Sequence, residues 1–414
     1  MFDNKPDVSI VLPCLNEAAT LAACIARAHA ALAMLRSRLG LEGEVVVADN
    51  GSTDESRAIA LRGGARLVEV AERGYGSALL AGFEGARGRY LVMGDADCSY
   101  DFVEAVPMVE DLVGGADLCM GSRFQGRILP GAMPWKNRWI GNPALSGILR
   151  LLFRTRVSDA HCGLRALTRD CLERLRPSAT GMVFASEMVV KAALLGVNLT
   201  ERPVTLSPDR RGRPPHLRPW RDGWRHLRYM LMLSPGWLFF APAAAFAALG
   251  LAVFVTLLAH QGEVMAPLGP LLVGDHWMIA AAAMLIVGFQ TAFFGLAALV
   301  HAIREGYRMP SPGMSRVLAA ARLEVWLVGG MLLCLGGGAG VAGVVSSWAA
   351  EGFGPLSAVR ELVGAFTAMI IGVQAFFGGF LLSVLAGNQA RFMARGGVGT
   401  AKSQAKLSTF THAH

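Results

Sequence analysis

Charge is what this chain has least of, and the shortage is uneven. Asp, Glu, Lys and Arg form 17% of the 414 residues, against an apolar fraction of 53% and a mean hydropathy of +0.43. That balance excludes an ordinary soluble enzyme and puts part of the chain in lipid. Charged residues are scattered steadily as far as Arg228 and then nearly vanish inside long apolar blocks, so a soluble region precedes an embedded one. Pairs of the C-x-x-C kind are missing. Cys14, Cys24, Cys98, Cys119, Cys162, Cys171 and Cys334 read as reduced, cytosolic thiols. The start, Met1 to Val11, lacks a basic segment followed by an apolar stretch, so no cleavable signal peptide is expected and the soluble region should stay in the cytosol. Much of the basic excess, a formal net charge of +8, lies beside the apolar blocks, where it faces anionic headgroups or sets topology. Nucleic acid is not expected as a partner.

The apolar blocks run from Trp237 to Ala259, Trp277 to Val300, Val325 to Trp348 and Leu362 to Ala386, each about the 20 residues that a bilayer span requires. The loop from His260 to His276 has no Lys or Arg and that from Ala349 to Glu361 has only Arg360, so both are expected outside. The loop with Arg304, Arg308, Arg316 and Arg322 and the tail with Arg391, Arg395, Lys402 and Lys406 are expected inside, which puts both termini in the cytosol. Ionisable residues are nearly absent within the spans, where Gln290 and Gln374 are the most polar; this argues against an ion pathway. Gly329-Gly330 and Gly336-Gly337-Gly338 suit close helix approach. Just before the first span, Arg210, Arg211, Arg213, Arg218, Arg221, Arg225 and Arg228 interleave with Trp220, Trp224, Leu227 and Leu231, which follow one helical face. A basic amphipathic helix leading into a span is expected in the headgroup plane; the alternative is an ordinary surface helix. The expected divisions are residues 1–209, 210–236, 237–387 and a basic tail, 388–414.

From Val8 to Met120 short β-branched runs alternate with helical stretches: strands at Val8 to Leu12, Glu44 to Ala48, Arg66 to Val70 and Arg89 to Met93, helices at Glu17 to Arg38, Thr53 to Arg62 and Gly76 to Ala86. This predicts a parallel sheet covered on both faces, with ligands at the carboxyl ends of its strands. There Gly94-Asp95-Ala96-Asp97 follows a strand. Two carboxylates with one spacer can hold a divalent cation against a diphosphate. Pro13-Cys-Leu-Asn16-Glu17 and Asp49-Asn-Gly51-Ser52-Thr53-Asp54 end the first two strands. Glu17 and Asp49 could accept hydrogen bonds from a nucleobase or ribose, while Ser52, Thr53 and Asp54 could equally cap the next helix. Arg73-Gly74-Tyr75-Gly76-Ser77 is not a dinucleotide loop, since Leu79 takes the third glycine position of G-x-G-x-x-G; a flexible loop near a diphosphate is expected. Glu187 and Lys191 read as a surface i, i+4 pair, and His161 beside Cys162 lacks a partner at zinc-site spacing.

These segments, with Gly121-Ser-Arg123-Phe124 and Asp159-Ala-His-Cys-Gly163-Leu-Arg165, resemble in type and order those of family 2 glycosyltransferases. The likeness runs over about Val8 to Pro235 and favours the dolichyl-phosphate mannose synthase and polyprenyl-phosphate glycosyltransferase branch. It implies a GT-A fold, an α/β Rossmann-like cytosolic domain followed here by an all-α membrane domain with four transmembrane helices. It also implies inverting transfer of one sugar from a GDP- or UDP-linked donor to a polyprenyl phosphate, with Mg2+ or Mn2+. Asp95 and Asp97 would hold metal and donor, Pro13, Asn16, Glu17 and Asp49 the nucleoside, and Arg123 the acceptor phosphate, with Lys136, Arg138 or Arg211 assisting. Such a phosphate is already anionic and needs little help from a base; arginine forks position it. Asp159 could orient the acceptor or act as base, or cap a helix or pair with Arg165. Ser99 stands where mannose synthases carry a metal-binding glutamine. A processive polysaccharide synthase is disfavoured, because Trp135 replaces the glutamine of Q-x-x-R-W at Arg138-Trp139 and no Thr-Glu-Asp precedes it. A flippase or scaffold with an accessory GT-A domain is the other alternative. Richness in Ala, Gly and Arg suits a GC-rich bacterium, hence undecaprenyl phosphate and the inner membrane; homo-oligomerisation stays open.

Overall fold

The computed structural model describes residues 5–210, 219–260, 264–304, 322–356 and 358–386. These fall into two compact units, the first reaching Ala241 and the second beginning at Pro242. The first is built on a seven-stranded sheet of order β3-β2-β1-β4-β6-β5-β7. Its strands are β1 (Val8–Cys14), β2 (Gly43–Asp49), β3 (Arg66–Glu69), β4 (Tyr90–Met93), β5 (Leu118–Ile128), β6 (Arg165–Thr168) and β7 (Leu199–Leu206). Six run parallel, but β6 is antiparallel to both β4 and β5. The expected parallel arrangement holds among β1 to β4, within the stretch from Val8 to Met120 that predicted it, while β6, which lies beyond that stretch, makes the sheet as a whole mixed. The chain leaves β4, forms β5 one place further out, and returns through β6 to fill the gap.

Val, Ile and Leu run through β1 and β2 because both faces are covered. Ile10, Leu12, Val45 and Val47 join one core with Ile25, Ala28 and Leu35 of α1 (Leu21–Leu39) and with α4 (Val106–Val113). Val11, Val46, Leu91 and Met93 join the other with α3 (Tyr75–Gly85), α5 (Asn142–Phe153) and α7 (Phe184–Leu195). Short helices α2 (Ser56–Arg62) and α6 (Arg169–Leu175) complete the layers. Helix α1 stops at Gly40, whose left-handed φ of 68° lets its N–H reach Arg36 O.

Helix α8 (Pro219–Met232) packs on α5 and α7. It turns Asp222, His226 and Met230 inward, each less than 7% exposed, while Trp224 is 59% exposed. The face expected from Trp224, Leu227 and Leu231 is thus not the one buried in the protein. Arg211, Arg213, Arg218 and the side chain of Trp220 lie outside the described residues.

The second unit carries α9 (Ala241–Ala259), a hairpin of β8 (Ala266–Leu268) and β9 (Leu271–Val273), α10 (Asp275–Arg304), α11 (Leu323–Ala350) and α12 (Val359–Ala386). Among the described residues four helices are long and apolar enough to cross a membrane, Gly236–Ala259, Asp275–Arg304, Leu323–Ala350 and Val359–Ala386; they contain the four expected blocks. Glycine gives α11 and α12 their closeness: a Cβ on Gly330 would lie 2.7 Å from Gly372 O, and one on Gly337 2.6 Å from Ala365 O. Gly329, Gly336 and Gly338 face open space instead. Arg360, 7% exposed, closes one end of the unit by bonding Asp275 Oδ1 at 2.6 Å, Leu257 O at 2.9 Å and His260 O at 2.7 Å. Two carbonyls at the end of α9 thereby find a donor that lipid could not supply.

Candidate active site

Strand direction assembles the site. The carboxyl ends of β2, β1 and β4 are neighbours at one edge of the sheet. Because β6 runs backwards, the loop that enters it, residues 159–164, arrives at that same edge, with Met93 paired to Arg165. The middle of β5 passes there, Gly121 N–H bonding Leu164 O at 3.0 Å. Five expected segments thus converge for a topological reason.

The D-x-D turn is held from several sides. Tyr75 Oη–H donates to Asp95 Oδ1 at 3.2 Å, Ser99 N–H to Asp97 Oδ1 at 2.9 Å, and Thr20 Oγ–H to Ala96 O at 2.7 Å. Asp97 is 5% exposed, and Arg210 N–H reaches its carbonyl at 3.3 Å. Cys98 completes the turn at φ 63°, a left-handed conformation uncommon outside glycine. Gly163 leaves room against this turn: a Cβ there would lie 2.5 Å from Asp95 Oδ2 and 3.0 Å from the Tyr100 ring. Burial, reinforced by the Asp95 carboxylate, raises the Tyr75 phenol well above its ordinary range, so it stays a hydrogen-bond donor. Two carboxylates on one turn fit an ion that takes one or two carboxylates and completes its shell with phosphate oxygens and water. Among the described residues no group of three or more His, Cys, Asp or Glu would hold one unaided.

On the β1–β2 side the side chains stitch two loops together. Ser52 Oγ accepts from Asn16 N–H at 2.9 Å, Asn16 Oδ1 from Thr53 N–H at 2.7 Å, Ser56 Oγ from Glu17 N–H at 2.9 Å, and Asp54 from Ala18 N–H at 3.0 Å. Asp54 also accepts from Ser56 N–H at 3.0 Å at the start of α2, so it serves both as cap and as stitch. Asp49, 3% exposed, accepts from Ser52 N–H at 3.2 Å and lies 3.4 Å from Arg57. Pro13 sits within β1, opposite Ala48, and Glu17 is 7% exposed.

Arg123 and Asp159 form one buried unit, 8% and 0% exposed. Nε and Nη2 of Arg123 meet the two carboxylate oxygens at 2.6 and 2.7 Å, and the Arg123 N–H adds a third bond at 3.1 Å. The partner of Asp159 is therefore Arg123; Arg165 instead donates to Cys162 O, Ala185 O and Ala160 O, which fastens the 159–164 loop. Lys136 and Arg138 lie over the rings of Trp135 and Trp139, at 5.8 and 5.4 Å from the centroids. Those tryptophans are 63% and 70% exposed.

The Arg73 to Ser77 segment is packed closely where a flexible loop was expected. A Cβ on Gly74 or Gly76 would lie 2.2 Å from Thr180 O or 2.0 Å from Ala179 O. Glu187 explains the fit. It is 2% exposed rather than a surface residue, accepts from Ser178 and Ala179 N–H at 3.0 and 2.7 Å, and keeps its Lys191 pair at 2.6 Å. Tyr75 is thereby aimed at Asp95. Tyr75 and Glu187 were not among the expected site residues; the two glycines that flank Tyr75 were the available signal.

Residues 9–176 match the family described as Glycosyl transferase family 2, and residues 296–386 match the Glycosyltransferase family 2 C-terminal transmembrane region. The chain is 39% identical over 386 residues to the Low-salt glycan biosynthesis hexosyltransferase Agl6 of Haloferax volcanii, covering 92% of this chain and 90% of that one. It is 30% identical over 215 residues to the Polyprenol monophosphomannose synthase of Mycolicibacterium smegmatis, covering 48% and 76%. A Dolichyl-phosphate hexose transferase of H. volcanii is 34% identical over 165 residues, covering 39% and 68%. Among solved structures, glucosyl-3-phosphoglycerate synthase of Mycobacterium tuberculosis, in complex with Mn2+, UDP-glucose and phosphoglyceric acid, matches with a TM-score of 0.44 and 22% identity over 55% of this chain and 79% of that one. The extent of the first match, with both regions of the family present in order, makes this chain a membrane-bound family 2 glycosyltransferase.

Proposed function

We propose that the enzyme transfers a single hexose, with inversion, from a GDP- or UDP-linked sugar to a polyprenyl phosphate at the cytosolic face of a bacterial inner membrane. The observation that carries this reading is the meeting, at one sheet edge, of the D-x-D turn with the loop of residues 159–164, in which Gly163 lies against Asp95 and Asp159 holds Arg123. Relatives named for polyprenol and dolichyl phosphate support the acceptor class. Asp49 and Glu17 receive the nucleoside, with Pro13 and Asn16 shaping the pocket floor. A divalent ion held by Asp95 and Asp97, Mg2+ or Mn2+, would neutralise charge on the departing nucleoside diphosphate.

Asp159 acts by orienting Arg123. Its oxygens are taken up by that guanidinium in a solvent-free pocket, an arrangement suited to holding a fork rather than collecting a proton. The remaining Nη1 edge of Arg123 is then aimed at the acceptor phosphate, which attacks as an anion and needs no strong base. Lys136 and Arg138, stacked on exposed tryptophans, serve the headgroup region and guide the acceptor from the bilayer.

The test is to incubate the detergent-purified protein with Mg2+ or Mn2+, polyprenyl phosphate and a panel of GDP- and UDP-sugars, following glycolipid by mass spectrometry. A single-sugar product abolished by Asp97→Ala supports the reading. No product with any donor, or one that survives Asp97→Ala, overturns it.

A further inference from the structure

Between α7, α8 and the 159–164 loop lies a chain of buried polar groups that the reaction does not use. His226 of α8 is 6% exposed and Ser186 of α7 fully buried. His226 Nδ1 is 2.7 Å from Ser186 Oγ, and the same oxygen is 3.1 Å from His161 Nε2. The two rings meet edge to face with centroids 4.8 Å apart. His161 Nδ1 is closed to solvent and has no hydrogen-bond partner among the described residues.

Proton counting gives the chain a direction. A serine hydroxyl has one proton, so it donates to one imidazole and accepts from the other. An orphaned N–H is the rarer defect inside a protein, which makes His161 Nδ1 the bare nitrogen. His161 Nε2–H then donates to Ser186, and Ser186 donates to His226 Nδ1. Burial keeps the His161 ring neutral, and the nearby charges of Arg123 and Arg165 act in the same sense. Three apolar side chains would have packed α8 here at less desolvation cost; a hydrogen-bonded chain adds a fixed distance and direction.

His161 stands two residues from Asp159, which holds Arg123, and two from Gly163, which lies against Asp95. At its other end the chain belongs to α8, and the first membrane span begins at Gly236, four residues after that helix ends. We propose that His226 is a positioning residue: through Ser186 and His161 it fixes the 159–163 loop, so that the acceptor-side arginine keeps its place relative to the helix leading into the membrane. The acceptor assignment within this statement rests on the proposed function; the fixing of the loop does not.

Three variants test it in the full-length protein in lipid nanodiscs. His226→Phe keeps the bulk and removes the bond, Ser186→Ala removes the link, and His226→Asn restores an amide near the place of Nδ1. The expected result is a rise of about tenfold in KM for polyprenyl phosphate with Phe and Ala, donor KM and donor hydrolysis unchanged, and rescue by Asn. Amide hydrogen exchange across residues 159–163 should quicken about tenfold in the same two variants and not in Asn. The proposal falls if loop exchange is unchanged in Ser186→Ala, if Asn behaves as Phe does, or if both KM values move together as for general destabilisation. Should the wild-type protein transfer nothing to polyprenyl phosphate, the functional reading fails, while the exchange comparison still decides whether α8 holds the loop.

Discussion

If Asp159 holds Arg123 rather than taking a proton, its removal should be felt first as lost stability. Asp159→Ala strips three hydrogen bonds, at 2.6, 2.7 and 3.1 Å, from an arginine that is 8% exposed. Breaking a buried pair by deleting one member leaves an uncompensated charge and costs about 3–5 kcal/mol. In a domain of this size each kcal/mol moves the midpoint by about 2–4 °C, so a fall of about 6–20 °C is expected. Thermal unfolding of the N-terminal unit, followed by limited proteolysis of the detergent-solubilised protein, reads this directly. A paired replacement sharpens it: Arg123→Met with Asp159→Leu should recover much of the loss, because neither charge is then stranded. A midpoint within about 2 °C of wild type for Asp159→Ala, together with abolished turnover, would refute the reasoning and restore Asp159 as a base.

Gly163→Ala should displace Asp95, since the added methyl falls 2.5 Å from its Oδ2; turnover should drop by about 100-fold, with weaker Mn2+ binding by electron paramagnetic resonance and an unchanged circular dichroism spectrum. Acidification should loosen α8. Burial lowers His226 from 6.5 to about 4, so below its unfolded value the unfolded state binds the proton that the folded state refuses. Stability is therefore full above pH 6.5 and declines as pH falls toward 4, by about 3 kcal/mol in all; His226→Asn should flatten this part of the midpoint-against-pH curve, and an unchanged curve would contradict it. Arg360→Ala should lower the detergent-melting midpoint of the membrane unit by stranding Leu257 O and His260 O, while nucleotide binding to the first unit, measured by calorimetry, stays as in wild type.

What was legible in the sequence was local. Asp95, Asp97, Asp49 and Glu17 each follow a β-branched run, and the end of a parallel strand is where such a sheet presents ligands. The reversal of β6 was not legible: Arg165–Thr168 is four residues long, and strand direction depends on which gap in the sheet is vacant when the chain returns. That reversal in turn decides who meets whom. Arg123 and Asp159, 36 positions apart, pair because the loop before β6 faces the middle of β5, whereas proximity in sequence had offered only Arg165 as an ion-pair partner. Glu187 shows the same limit from the other side. Its i, i+4 spacing with Lys191 is real at 2.6 Å, yet the residue is buried because the backbone of 178–179 folds over it.

Helix α8 carries the argument furthest. Its tryptophan and leucine positions describe an apolar face, and in a soluble protein that face would be the buried one. Here Trp224 is exposed, and the side packed on α5 and α7 bears Asp222, His226 and Met230. A helix with one solvent has one apolar face; for α8 in the headgroup plane, as the sequence leads one to expect, only the Trp224 side would have to be uniformly apolar, because lipid offers no hydrogen bonds. The protein-directed face can afford polar groups wherever the domain supplies partners, as Ser186 does for His226. Polar residues interrupting the quieter side of such a helix thus mark where it is fastened, and in this enzyme they lead through Ser186 to His161 in the loop of the candidate site.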